Sequence, residues 1–371
     1  MVGLMQKTKP SEIEPFIASE VALSVKDEIQ KYILRVIDGI ISGRPPSEVK
    51  RAFTKIKLNV TEQPGNIIPG SSDGGSAIFN LRSTCFGVCV SCSILIDNDH
   101  KVHRSDVLVS RVPEDPMASF NTTREDVEAM LAPVREALVA MSALRMLEKG
   151  INGVRPDILI VDGPLIPPAR IWLKKGRKSR SDPVRLYLEH RRRMLDYAEK
   201  TRVTVVGFVK RPKSHYISQI YGFKSYPDVA LSTLTGLQWG ESYPWPPVEL
   251  GGVELSSIIH DDTVRKYMVP GRLSFTFLKT SRGKAPYRID ISRIFPPFTS
   301  AEQVLNYILS LSDLDGIPLP VVKADETVKI TKKFARETYR STINYVISKY
   351  AREENKLKLL LELLGWMHGE T

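Results

Sequence analysis

An uninterrupted apolar segment, Ile158–Val161, lies between Asp157 and Asp162 near the middle of the chain. A run of this length without polar alternation is typical of a strand that is buried on both faces of its sheet. The Val203–Val209 segment predicts another strand. Along the chain the predicted order is strands, helix, strand, helix, strand, strands, helices. This order predicts an α/β fold, with a mixed sheet and helical additions at both ends and in the middle.

A long helix is predicted over Ser119–Lys149, because Thr122 or Thr123 can cap it and Asp126 and Glu128 suit its first turn. The Pro- and Gly-rich segment 59–73 predicts a loop. Further strands are predicted over 77–97, 101–112, 273–278 and 287–291, and further helices over 11–57, 300–312, 325–351 and 353–366. We therefore expect a helical region at 1–58, a sheet domain at 59–335 with insertions at about 166–200 and 211–270, and C-terminal helices at 336–371.

Two aspartates, Asp73 and Asp162, each precede a glycine at the boundary of an apolar run. Asp-Gly is a common turn dipeptide, so either residue taken alone also fits a plain turn. Together they indicate a divalent cation, because two carboxylates brought close repel each other unless a positive charge meets them. Glu136 lies in an apolar helical segment, either as a surface residue or as a further member of this cluster. Glu148, at the helix end, is the alternative, although a solvated role suits it better.

Carboxylate oxygens are hard ligands that suit Mg²⁺ or Mn²⁺. A carboxylate cluster with such ions is what phosphodiester hydrolysis requires, because the ions activate water and neutralise charge on the attacked phosphate. The cluster therefore favours chemistry on a phosphodiester.

The chain carries 53 Lys+Arg against 42 Asp+Glu among 371 residues, a formal net charge of +11. This charge favours a polyanionic partner, nucleic acid first and an anionic membrane surface second, although many basic proteins bind neither. The densest basic stretch runs over 174–180 and continues to 191–193, where it either contacts DNA phosphates or forms a solvated face. The candidate DNA contacts are Arg191, Arg192, Arg193, Lys210, Arg211, Lys213 and Lys279, with Arg288 as a weaker one.

Three cysteines, Cys85, Cys89 and Cys92, have the C-x3-C-x2-C spacing of radical-SAM iron–sulfur enzymes. The surrounding sequence predicts a strand, whereas a cluster requires a loop that wraps the three thiolates around one centre. Ser91 also stands where that motif usually has an aromatic residue. We therefore expect buried structural cysteines and keep a radical-SAM enzyme as a distant alternative.

The segment Met1–Pro10 lacks the apolar run of a signal peptide, and no stretch approaches the roughly 20 apolar residues of a membrane span. An odd number of cysteines argues against a disulfide framework. We therefore expect a cytoplasmic protein without membrane association.

The order of these motifs resembles the NurA-type nucleases, a DNA-end-processing family with a ribonuclease H-like core. The resemblance spans roughly 60–335 and is carried by the segments 73–76, 135–140, 158–165, 207–211, 277–279, 287–290 and 316–325. No single motif is specific, and their order and spacing carry the resemblance.

The resemblance implies a ribonuclease H-like mixed sheet flanked by helices, and a metal-dependent nuclease that acts on DNA ends and single strands. It implies that Asp73, Asp162 and Asp325 hold Mn²⁺ or Mg²⁺. Glu136 would complete the catalytic cluster, and Lys210 would contact a substrate phosphate. It also implies a homodimer that works with a hexameric HerA-type ATPase in DNA end resection and recombination repair.

Two positions depart from the family pattern: Ile317 stands where the family usually has Tyr, and Asp325 where it usually has His. Ribonuclease H-like sites often use a carboxylate at the final position, so Asp325 keeps the capacity to bind a metal. The missing Tyr hydroxyl removes a group that would position water or phosphate. These departures support an alternative hypothesis, a catalytically weak DNA-binding subunit of the same helicase complex.

Overall fold

The computed structural model describes residues 19–42, 54–59, 66–81, 83–166, 182–212, 214–217, 227–250 and 273–353, together with 355–356, 358 and 362. Its contacts divide the chain into two units, Met1–Pro46 and Ser47–Thr371. In the first unit, helix α1 covers Ser19–Ser42. The second unit contains the sheet.

The predicted helix 11–57 is wrong at its end, because Thr54–Lys57 forms strand β1. In this strand the β-branched residues Thr54 and Ile56 alternate with two lysines, a pattern with the period of a strand rather than of a helix. Within the described residues, β1 is the first strand of a mixed sheet. The other strands are β2 Pro69–Asn80, β3 Cys85–Ile96, β4 Val102–Arg104, β5 Leu108–Val112, β6 Ile158–Asp162, β7 Thr204–Val209, β8 Glu241–Glu249, β9 Ser274–Leu278 and β10 Tyr287–Ile291.

The strands lie in the order β1-β8-β9-β10-β7-β6-β2-β3-β4, and β5 also pairs with β3. Strands β2, β6 and β7 run parallel at the centre, and the pairs on either side of them are antiparallel. Parallel strands require crossover connections, and both connections contain a described helix: Arg124–Lys149 lies between β2 and β6, and Asp182–Lys200 lies between β6 and β7. The fold is therefore the predicted α/β mixed sheet.

Strand β2 begins at Pro69, so the prediction of a loop over 59–73 is wrong for its last residues. Small hydroxyl side chains take the place of the apolar residues that would have indicated a strand. Ser71 donates to the Ile160 carbonyl at 2.6 Å, and the Ser72 hydroxyl lies 2.5 Å from that of Ser93. Because each of these buried hydroxyls has a hydrogen-bond partner on a neighbouring strand, this part of β2 is buried without apolar side chains.

Helices cover both faces of the sheet. After α1, the helices among the described residues are α2 Arg124–Lys149, α3 Asp182–Lys200, α4 Asp228–Leu234, α5 Ala301–Ser310, α6 Leu319–Val328 and α7 Lys332–Tyr350. Side chains of α2 and α3 pack with Leu159 and Val161 of β6, whereas side chains of α5 and α6 pack with Ile158 and Ile160. Strand β6 is thus buried on both faces, as its apolar sequence predicts.

Helix α2 begins at Arg124 rather than at Ser119, because residues Pro116–Asn121 form a short 3-10 helix. Thr123 caps α2 and accepts a hydrogen bond from the Asp126 backbone, as predicted. The predicted strands 77–97 and 101–112 correspond to β2–β3 and to β4–β5. The predicted helix 300–312 corresponds to α5.

Part of the predicted irregular insertion, 211–270, belongs to the sheet, because β8 pairs with both β1 and β9. The prolines at 244, 246 and 247 fall where the β8–β9 register shifts between Tyr243 and Val248. A proline has no N–H to donate, and a bulge requires none at that point. Because of these prolines, the sequence pattern does not indicate strand β8.

At the C-terminus, the predicted helix 325–351 is two helices, because Lys329 has an extended conformation (ψ 104°) after α6 and Thr331 caps α7. Asp325 consequently lies within α6 rather than at the start of a helix. The predicted helix 353–366 lies mostly outside the described residues. Among the helices described, none is both long enough and apolar enough to span a bilayer.

Candidate metal centre

The sheet register brings Asp73 and Asp162 next to each other. In the parallel β2–β6 ladder, Ser72 pairs with Val161, and the two aspartates are the next residues of their strands. Side chains alternate along a strand, so Asp162 faces the same side as Ile158 and Ile160, the side covered by α5 and α6. The adjacent carboxylates therefore lie on that side of the sheet.

Helix α6 supplies a third carboxylate, Asp325. The helix can approach β2 closely because Gly75 has no side chain, and a Cβ there would overlap the Val328 carbonyl oxygen. One carboxylate oxygen each from Asp73, Asp162 and Asp325 lies within 4.8 Å of the others. The structure thus brings together the three predicted metal ligands.

The three carboxylates lie in an unfavourable electrostatic environment in the absence of a cation. Asp73 is only 8% exposed, and burial together with the charge of Asp162 raises its pKa to about 7. Burial also raises the pKa of Asp162, against the opposing effect of Lys210. A divalent cation would remove this repulsion and would be met by the hard oxygen ligands that Mn²⁺ and Mg²⁺ prefer. The donor set therefore fits the predicted metal.

Lys210 follows β7 on the same side of the sheet, and its ammonium Nζ lies 2.7 Å from Asp162 Oδ2. Burial would lower the pKa of Lys210, but the attraction of Asp162 outweighs it and the pKa is raised. The lysine is therefore a fixed positive charge at the edge of the carboxylate cluster.

Glu136 lies beside the three aspartates but is not one of the three carboxylates that converge. Its Oε1 accepts from Arg135 Nη2 at 2.8 Å, and its Oε2 lies 4.0 Å from the position of a Cβ on Gly163, the residue after Asp162. Glu136 therefore borders the cluster on the side of Asp162. Glu148 lies twelve residues further along α2, about 18 Å away along the helix axis, which excludes it.

Arg135 is a further residue of the site, one that the sequence patterns did not indicate. Its side chain packs on β2, since a Cβ at Gly74 would lie 2.8 Å from Arg135 Cγ. Burial opposes its charge, but the attraction of Glu136 and Asp73 raises the pKa of Arg135. Its position next to Glu136 in the sequence was the signal that could have identified it.

The predicted DNA contacts have different environments. Arg192, Arg193 and Arg211 are exposed, as a phosphate contact requires. Lys279 donates to the Lys284 carbonyl in the β9–β10 turn. Lys213 and the basic stretch 174–180 lie outside the described residues.

The prediction that Arg191 binds DNA phosphate at the surface is wrong, because its side chain is only 6% exposed. Its guanidinium lies over the Tyr187 ring and donates to the Tyr187 hydroxyl. Arg191 lies on the same buried face of α3 as Tyr187, while the next two arginines are exposed. Arg288, the weaker candidate, is also buried and is paired with Asp290.

The cysteines have the structural role that the sequence predicts. All three are buried in β3, where alternation places Cys85 and Cys89 on one face and Cys92 on the other. Cys89 donates to the Leu131 carbonyl at 3.5 Å, and burial raises its pKa to about 11. Thiols on opposite faces of a paired strand cannot ligate one iron–sulfur cluster, so the radical-SAM alternative is wrong.

Comparison with solved structures identifies similar folds. The NurA nuclease from Sulfolobus solfataricus has a TM-score of 0.60 and 16% identity, over 91% of this chain and 98% of that chain. A NurA structure with manganese has a TM-score of 0.55 and 12% identity, over 86% and 98%. A NurA structure bound to dAMP and manganese has a TM-score of 0.52 and 12% identity, over 88% and 98%. The predicted fold class is confirmed.

Among curated proteins, none matches the chain. A sequence model of the NurA domain matches residues 73–330, a range that contains Asp73, Glu136, Asp162, Lys210 and Asp325. This range is more than half of the chain, and the predicted resemblance is confirmed. The chain therefore belongs to the NurA family.

Proposed function

We propose that this protein is a metal-dependent deoxyribonuclease. The observation that carries the proposal is the convergence of three carboxylates within 4.8 Å, with the Lys210 ammonium 2.7 Å from one of them. Phosphodiester hydrolysis requires cations at the attacked phosphate and hard oxygen ligands that hold them. The NurA relatives that were solved with manganese support the choice of Mn²⁺ or Mg²⁺.

Each residue of the site has a role in this proposal. Asp73, Asp162 and Asp325 would hold the metal, which would supply Lewis-acid charge stabilisation and would lower the pKa of a water bound to it. Glu136 completes the catalytic cluster from α2. Lys210 offers a positive charge to a non-bridging phosphate oxygen, and its ion pair with Asp162 holds it at the cluster before substrate arrives.

We further propose DNA as the substrate, cleaved from its ends and within single strands. The net charge of +11 and the exposed side chains of Arg192, Arg193 and Arg211 support a polyanionic substrate. A NurA relative bound to dAMP supports a nucleotide product. The NurA family membership supports a homodimer that works with a hexameric HerA-type ATPase in end resection and recombination repair. We also propose that the protein acts in the cytoplasm.

The second candidate is a catalytically weak DNA-binding subunit of that helicase complex. It is favoured by Ile317, whose side chain packs against the apolar cluster of α5 and offers no hydroxyl. The convergence of Asp325 with the two other aspartates favours the active enzyme instead.

The test is cleavage of labelled single-stranded DNA by the purified full chain with Mn²⁺. We expect cleavage by the wild type and its loss in Asp73→Asn and Asp162→Asn, which remove charge with little change of shape. Asp99→Asn, at an exposed turn, is the matched control and should cleave normally. Cleavage that persists in Asp73→Asn would refute the site, and DNA binding without cleavage by the wild type would favour the second candidate.

A further inference from the structure

The Asp290 carboxylate, on β10, is fully buried and receives four N–H donors. Arg288 donates from Nε to Oδ1 at 2.8 Å and from Nη2 to Oδ2 at 3.0 Å. The backbone N–H groups of Leu165 and Ile166 donate to Oδ2 at 2.8 Å and 3.2 Å. Asp290 therefore anchors a segment that begins three residues after Asp162.

The strand between Asp290 and this segment has a glycine at the point of contact. Asp290 pairs with Gly207 of β7, and a Cβ on Gly207 would lie 2.8 Å from both the Gly163 oxygen and the Leu165 nitrogen. The segment 163–166 consequently rests directly on the backbone of β7. Only this close approach brings its amides within reach of the Asp290 carboxylate.

The anchored segment lies on the opposite side of the sheet from the metal centre. Leu165 packs with the side chains of α2 and α3, whereas Asp162 faces the side of α5 and α6. The chain crosses between the two sides at Gly163, whose φ of +130° favours glycine. The far end of this turn is therefore fixed by Asp290, and its near end carries the Asp162 carboxylate.

The same buried charges also order the segment that follows Lys210. The Arg288 guanidinium lies 5.2 Å from the centre of the Tyr216 ring. Asp228, also fully buried, accepts from the backbone N–H groups of Tyr216 and Ile217 at 2.8 Å and 2.9 Å. The chain segments after β6 and after β7 are thus attached to one group of buried charges.

A buried ion pair is weak evidence for stability, because apolar residues of similar volume often stabilise a core equally well. The contacts of Asp290 suggest a different role, since half of its donors are the amides of one turn. We propose that Asp290, oriented by Arg288, is a positioning residue that holds the Asp162 carboxylate in the geometry required for a divalent cation. The inference rests on the proposed function, because it assigns a role to a ligand of that metal centre.

The test measures Mn²⁺ alone, so that it does not depend on cleavage. Mn²⁺ affinity of the full chain is measured by calorimetry and by electron paramagnetic resonance, and hydrogen exchange is followed at the Leu165 and Ile166 amides. Asp290→Asn should weaken Mn²⁺ binding about tenfold or more, in the range of residues that orient metal ligands. The two amides should exchange faster in the same variant.

The control for general destabilisation is Thr276→Val on the neighbouring β9. Thr276 is fully buried and donates to the Pro244 carbonyl at 2.8 Å, so its loss weakens the same part of the sheet. This variant should unfold at a lower temperature but bind Mn²⁺ like the wild type. A loss of affinity in Thr276→Val that equals the loss in Asp290→Asn would overturn the inference.

Asp290→Asn removes the carboxylate that is paired with the buried Arg288 charge, so the double variant Arg288→Met with Asp290→Leu provides a second measurement. It removes both charges and should keep the fold, yet it should lose Mn²⁺ affinity to the same extent because the amides are no longer held. Wild-type affinity in both folded variants would refute the positioning role and leave the proposed nuclease intact. A wild type that binds no Mn²⁺ would refute the metal centre and the inference together.

Discussion

Asp73 stays protonated up to an unusually high pH for an aspartate, because its carboxyl group is buried beside the charge of Asp162. Its pKa is about 7 in the folded, metal-free protein, against 3.8 for a solvated aspartate. Between these values the native state binds more protons than the unfolded state, so stability falls as pH rises from about 4 to about 7. We expect metal-free protein to have a lower melting temperature at pH 8 than at pH 5.

The variant Asp73→Asn isolates this effect, because the Asn carbonyl can still accept the hydrogen bond from Gly74 that Asp73 accepts at 2.6 Å. At pH 8 the variant should be more stable than the metal-free wild type by an amount on the order of a few kcal/mol, since the repulsion is gone. Thermal unfolding at both pH values measures the difference, and Mn²⁺ should stabilise only the wild type. An equal pH dependence in the two proteins would contradict the assignment.

At the scale of secondary-structure elements, α6 can bring Asp325 to the metal centre only because Gly75 leaves room for it. In Gly75→Ala the new methyl would overlap the Val328 carbonyl oxygen, which is backbone and cannot rotate away. We expect α6 to be displaced, with a loss of about 1–3 kcal/mol in the free energy of unfolding and a clear loss of Mn²⁺ affinity. Calorimetry and chemical denaturation measure the two effects.

Gly283→Ala is the matched control for this substitution, because a Cβ at Gly283 would meet no heavy atom within 4 Å. It should change neither Mn²⁺ affinity nor stability beyond a few tenths of a kcal/mol. If Gly75→Ala binds Mn²⁺ as tightly as this control, close packing of α6 is not what positions Asp325.

The elements also show which parts of the fold the sequence could predict. Apolar runs identified β6 and β7, because both faces of these strands are buried and the pattern needs no partner to be recognised. The start of β2 was missed because its buried residues Ser71 and Ser72 are polar, and only contacts from distant strands satisfy them. Strand β8 was missed because its prolines lie in a register shift that local sequence cannot reveal.

In the folded molecule, the site also combines residues that the local sequence indicates with residues whose role depends on distant contacts. Asp73 and Asp162 were predictable because each ends or interrupts a recognisable pattern, and Asp325 was found through the family resemblance. The burial of Arg191 and the anchoring role of Asp290 were not predictable. Both depend on which face of an element is buried in the folded protein, and for Asp290 the contact is with Leu165, at a sequence separation of 125 residues.

The exposed positive charge of α3 should contribute to the affinity of the molecule for DNA. Arg192 and Arg193 are exposed on α3 and can contact phosphates, whereas the buried Arg191 cannot. Each lost phosphate contact on single-stranded DNA lowers the slope of log affinity against log salt by about 0.7. We expect Arg192→Gln with Arg193→Gln to lower that slope by about 1.4 and to weaken binding at low salt. Arg104→Gln with Arg124→Gln removes the same charge from other exposed positions, and an equal fall in slope there would show that net charge alone, rather than the α3 surface, binds DNA.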